Sequence, residues 1–142
     1  MIAIVLLLIV PAVCVPANAQ TLEPRATKVR ITMRDRDIYG ELFVTIAGTE
    51  TKVTDQAQQA WIINGGQHVV YSSDKGAGGY ENEGQSLHLY EVKTGNHKQI
   101  MSHYFMVETV KEVVTSNKTR ALLVMMEDGG LGASYLAVVD PG

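Results

Sequence analysis

Four histidines are the side chains best equipped for chemistry here: His68, His88, His97 and His103. His68 and His88 fall on stretches that read as neighbouring strands, so they can meet across one ladder and offer two nitrogen ligands to a metal. Neither a HExxH spacing nor a third ligand at fixed distance accompanies them. The other reading is two partly buried histidines hydrogen-bonded to backbone, and no metal is assigned. Asp74, Glu81, Asn82 and Glu83 gather with Tyr80 in a glycine-rich stretch. Oxygen ligands on a loop suit calcium, yet the spacing matches neither the EF-hand nor the Gly-Gly-x-Gly-x-Asp repeat. That stretch reads first as a solvated loop and, because long loops on rigid β scaffolds carry binding residues, second as a binding loop. Asp74, Tyr80, Glu81 and Glu83 are its contact residues, Tyr80 is its aromatic anchor, and no cofactor is expected.

Nucleophiles are scarce. Cys14 is the only cysteine and lies in the apolar leader. The remaining chain therefore has no disulfide, no cysteine zinc site and no thiol nucleophile. Serines occur, but not in a Gly-x-Ser-x-Gly elbow. Gly76, Gly78 and Gly79, like Gly129, Gly130 and Gly132, lack the lysine and strand–loop–helix context of a phosphate loop. Asn117-Lys118-Thr119 is a glycosylation sequon only in a host that glycosylates. No catalytic constellation emerges, and the expectation is a protein that is not an enzyme. Arg25, Lys28, Arg30, Arg34 and Arg36 form a basic cluster that can meet an anionic partner. The same alternation also describes the wet face of an edge strand, where charge blocks sheet-to-sheet pairing. A net charge of −3 argues against a general nucleic-acid binder.

The leader sets the compartment. Ile2 to Val10 is an unbroken aliphatic run, Pro11 and Pro16 interrupt it, and Ala17-Asn18-Ala19 precedes Gln20. This is the architecture of a secretory signal over residues 1–19, cleaved after Ala19. The expected location is secreted or periplasmic, although no Lys or Arg precedes the apolar run. A stable membrane span is not expected in the mature form, because a spanning helix needs about 20 uninterrupted apolar residues. An uncleaved N-terminal anchor is the competing reading. Pro11-Ala12-Val13 fits poorly as the approach to a lipidated cysteine.

Beyond the leader, short runs of β-branched and aromatic residues alternate with Gly and Asn-Gly punctuation, the pattern of an all-β domain over residues 20–142. Val29, Ile31 and Met33 alternate with Lys28, Arg30 and Thr32, as in a half-buried strand. Further strands are expected over 37–47, 50–54, 61–63, 68–71, 87–92, 98–101, 104–115, 120–126 and 134–139, with a break near Glu108. Asn64-Gly65-Gly66 between apolar runs is a hairpin signal, since these residues tolerate positive φ. Trp61 is expected to pack between sheets.

Trp61 to Met101 reads strand, turn, strand, Gly-rich loop, strand, turn, strand, and Val110 to Val139 repeats that order one strand short. A repeated unit of about 40 residues with four antiparallel strands is the mark of a β-propeller blade. The apolar Ala121 to Met126 fits a strand covered on both faces. Trp61 to Gly65, Val69-Val70-Tyr71-Ser72-Ser73-Asp74, Leu87 to Val92, Lys93-Thr94-Gly95 and Lys98-Gln99-Ile100 together resemble a WD40-like blade of the TolB-type periplasmic propellers. Ile62-Ile63-Asn64 replaces that family's Ser-Pro-Asp, and Glu91-Val92-Lys93 stands at its acidic turn entry. The resemblance implies an incomplete propeller with units near 27–55 (partial), 56–102 and 104–142 (incomplete).

Closed rings use about 4–8 blades, more than this chain supplies. A fragment of a longer protein, a homo-oligomer joined through open blade edges, and a small β-sandwich or barrel are the three resolutions. The fragment is favoured by the stop at Asp140-Pro141-Gly142, where an inter-strand turn is expected. The expected function is an exported non-enzymatic binding or scaffold module whose partner is a protein or envelope component. The alternatives are the propeller portion of an exported peptidase lacking its catalytic domain and a small ligand-binding β-barrel.

Overall fold

A computed structural model describes residues 23–33, 39–73, 85–103, 106–128 and 133–141. Among them the chain is all-β apart from one 3-10 turn at Asn64–Gly66. Ten strands follow one another: β1 Ala26–Met33, β2 Gly40–Ile46, β3 Thr49–Ala57, β4 Gln59–Ile63, β5 His68–Ser73, β6 Gln85–Glu91, β7 His97–His103, β8 Met106–Val114, β9 Arg120–Asp128 and β10 Ala133–Val139. No helix among the described residues is long and apolar enough to cross a membrane.

The strands form three antiparallel sheets, each joining consecutive strands: β1-β2-β3, β4-β5-β6-β7 and β8-β9-β10. None closes into a barrel, which removes the small-barrel alternative. Successive side chains point to opposite faces of a strand, and this alternation builds two cores on the two faces of the central sheet. On one face Val69, Tyr71 and Tyr90 pack against Leu42, Val44, Ala26 and Ala57 of the first sheet. On the other, Ile63, Val70, Leu87 and Leu89 meet Val107, Val110, Leu122, Val124 and Met126 of the third. Trp61 packs against this second core, between sheets as its size demands. Each fully buried aliphatic side chain here contributes about 1.5–3 kcal/mol relative to exposure.

The two end faces of this stack differ. The outer face of the first sheet is charged. Arg30 binds Glu50 through two hydrogen bonds, at 3.0 and 2.9 Å, and stacks over Phe43 at 4.4 Å. Lys52 pairs with Glu41 at 2.6 Å. The basic cluster is thus largely matched where it is described: Arg30 lies on this wet face, Arg25 donates to the Gly65 carbonyl, and Arg34 and Arg36 lie outside the described residues. The outer face of the third sheet carries an aliphatic block, with Lys111 and Glu127 beside it. Ala121, Leu122, Val124 and Met126 are buried, but Met125 is 38 % exposed and Leu123 only half-buried. The expectation that Ala121 to Met126 is covered on both faces therefore fails: among the described residues, no sheet lies over one face of β9.

Two strand details have clear causes. A bulge between Val107 and Thr109 interrupts the β8–β9 ladder, at the break expected near Glu108. The β4–β5 hairpin closes through Asn64, Gly65 and Gly66 at φ of 50°, 58° and 90°, a left-handed run that only such residues enter cheaply.

Candidate functional site

The hairpin turn of the central sheet meets the β8–β9 end of the third sheet, and an open cleft of about 330 Å³ lies between them. Ile63 and Leu89 are its apolar lining, both over nine-tenths buried. Asn64, His68, Glu112, Lys118, Arg120 and Asp140 give the lining its polar groups. Alternation along β8 and β9 sends Glu112 and Arg120 inward with Val110 and Leu122. They occupy the strand ends, where the core opens to water.

One hydrogen-bond network ties these groups. Glu112 Oε2 accepts the Asn64 backbone N–H at 3.0 Å, and Glu112 Oε1 accepts Arg120 Nη1 at 2.9 Å. Arg120 Nη1 also donates to Asn64 Oδ1. A guanidinium can only donate, so the Asn64 amide must turn its nitrogen to His68 Nδ1, 3.1 Å away. His68 Nδ1 accepts, and its ring proton is on Nε2. The β8–β9 turn that carries Lys118 is held by the Thr115 N–H to Thr119 carbonyl bond at 2.9 Å, with Lys118 at φ 64°. Lys98 of β7 donates to the Pro141 carbonyl at 3.4 Å. The cleft can thus seat an apolar group on Ile63 and Leu89 and meet polar groups of either sign at its rim.

The histidines do not converge as the metal reading requires. His68 stands opposite Glu91, and His88 opposite Tyr71. The offset from Glu91 to His88 is odd, so the two rings lie on opposite faces of one sheet. No group of three metal-ligating His, Cys, Asp or Glu side chains occurs among the described residues.

His88 instead joins an interior cluster on the face toward the first sheet. Its ring stacks on Tyr71 at 5.2 Å, the Tyr71 hydroxyl lies 3.0 Å from His97 Nδ1, and Tyr90 packs on His97 at 5.1 Å. Burial pushes the Tyr71 hydroxyl up to about 12, which keeps it protonated at neutral pH. Ser86 and His88 form a 2.9 Å pair that looks like half a catalytic triad. Ser86 Oγ, however, donates to the Ser73 carbonyl at 3.1 Å, so His88 Nε2 is the donor to Ser86. A general base must accept the serine proton, and here the proton runs the other way. Ser86 has no exposed surface, and Ser86, His88, Tyr71 and Tyr90 are core, with the exposed His97 at their rim.

Asp74, Tyr80, Glu81 and Glu83, the expected binding-loop residues, lie outside the described residues. Sequence reasoning singled out His68 and the Asn64 turn but missed Glu112 and Arg120. Their one signal is a charge at an inward-facing position of an apolar strand. No protein family, curated protein or solved structure matches the chain.

Proposed function

We propose that this chain is an exported, non-enzymatic binding module of propeller-like build, and that the cleft between its central and third sheets holds an extended segment of a protein or envelope partner. The observation that carries this reading is the cleft's make-up. An apolar wall of Ile63 and Leu89 is framed by hydrogen-bonding groups of both signs, positioned in advance by the Asn64–Glu112–Arg120 network. Pre-ordered polar groups around an apolar seat lower the cost of ordering on binding. The leader supports export, and three stacked meanders of consecutive strands support a blade-like succession.

Panning a random peptide display library on the purified chain, followed by NMR mapping, tests the reading. Selected peptides are expected to shift the amide signals of Asn64, His68, Thr119 and Arg120. Lys118→Glu is expected to alter which peptides are selected while leaving the melting temperature in place. Peptides that perturb only residues remote from these strand ends, or a library that yields no binder, would overturn it.

A further inference from the structure

We infer that the outer face of the third sheet docks onto the same face of a second copy, forming a two-fold dimer in which sheet stacks on sheet. The face is built by alternation. Leu136 stands opposite Met125, and Val138 opposite Leu123, making a compact block of four aliphatic side chains. Leu136 and Val138 are each 69 % exposed. On β8, Thr109 and Lys111 stand beside Met125 and Leu123, with Met106 and Val113 beyond them on the same face. β10 carries no charged residue from Ala133 to Val139, whereas β3 carries Glu50, Lys52 and Asp55.

The charge pattern selects the occupant. A head-to-tail stack would set this apolar block on the first sheet of the next copy, whose outer face holds the Arg30–Glu50 and Lys52–Glu41 pairs. Burying those four charges strips them of water without a new partner to replace it, and the contact would propagate without closing. A two-fold stack buries apolar surface on apolar surface and closes at two copies. The rim charges also fit that symmetry. Lys111 stands opposite Leu123 near one end of the face, and Glu127 opposite Met106 near the other. Glu127 lies beside Glu108, whose carboxyl is held above its ordinary value by that neighbouring carboxylate. A two-fold axis crossing the strands at the level of Thr109, Met125 and Leu136 brings Lys111 of each copy toward the Glu108–Glu127 carboxyls of the other. It also sets Met125 and Leu136 against their own counterparts. The ligand cleft lies on the inner side of the third sheet and stays open, so this dimer does not depend on the proposed function.

Sedimentation equilibrium of the secreted chain across a concentration series tests the dimer. The wild type is expected to show a reversible monomer–dimer equilibrium. Leu136→Lys and Val138→Lys, both at exposed positions, are expected to weaken it at least tenfold with the melting temperature retained. Lys111→Glu and Glu127→Lys are each expected to weaken it, and the double swap to restore it toward the wild-type constant. A chain that stays monomeric throughout overturns the inference, as does a dimer insensitive to Leu136→Lys. A dimer indifferent to the Lys111 and Glu127 charges places the contact along the β10 edge and overturns the face-to-face arrangement.

Discussion

The Asn64 backbone N–H donates to Glu112 Oε2 across 3.0 Å, joining the hairpin turn of the central sheet to an inward-facing carboxylate of the third. These residues are 48 positions apart in the chain, and their bond sets the spacing of the cleft. Glu112 accepts Arg120 through its other oxygen, so both carboxylate oxygens are engaged.

Replacing Glu112 should therefore cost stability as well as reshape the cleft. Glu112→Ala removes the acceptor of a backbone donor and leaves Arg120 with only the Asn64 side-chain Oδ1 in this network. A loss of about 1–3 kcal/mol is expected for such a charge-assisted bond, seen as a lower midpoint in urea unfolding followed by circular dichroism. An unchanged midpoint would mean that water substitutes for the carboxylate.

Tyr71 gives the fold an alkaline limit. Its folded-state hydroxyl is raised to about 12 from an ordinary 10, so the unfolded chain gives up the proton first. Its contribution is complete below pH of about 10 and is lost as pH rises through about 12. Alkaline unfolding of the wild type should carry this dependence, and Tyr71→Phe should flatten it. The variant also loses the hydroxyl's bond to His97, which costs about 1 kcal/mol at neutral pH.

Gly65 and Gly66 are adjacent but not equivalent. A Cβ on Gly66, at φ 90°, would lie 2.4 Å from the Ala26 backbone carbonyl, whereas one on Gly65 meets only the end of the Arg25 side chain at 3.3 Å. Backbone cannot yield as a long side chain can. Gly66→Ala is expected to destabilise by about 2 kcal/mol or more and Gly65→Ala by about 1 kcal/mol. Equal melting temperatures for the two variants would contradict the close packing of β1 on the hairpin turn.

Glu50 should titrate below the ordinary carboxylate range, because Arg30 hydrogen-bonds it and neutralises its charge. A depressed folded-state value contributes stability above the unfolded value and loses it as pH falls through the folded one. Both partners are exposed on the wet face, so salt should shrink the effect. A carbon-detected NMR titration should show Glu50 returning toward its ordinary value in Arg30→Gln.

The strands were legible because their signals are local. Val29-x-Ile31-x-Met33 alternates over adjacent residues, and Asn64-Gly65-Gly66 offers the positive φ that the hairpin uses. The offset that separates His68 from His88 was not legible, because it follows from pairing β5 with β6 across the stretch 74–84. One residue of slip reverses every face. The inward orientation of Glu112 was hidden for a related reason, since the bulge after Val107 resets the alternation of β8.

By itself the sequence determined an all-β chain, because periodicity and turn chemistry are written in neighbouring residues. It also carried the apolar character of Ala121 to Met126. Only the tertiary structure decided what those residues do: Leu122 and Val124 lie in a core, while Leu123 and Met125 belong to an end face that no sheet of the described residues covers. Burial depends on which sheets stack and in what order, and that order rests on contacts between residues far apart in the chain. The same long-range stacking brought Asn64, Glu112 and Arg120 together as the candidate site.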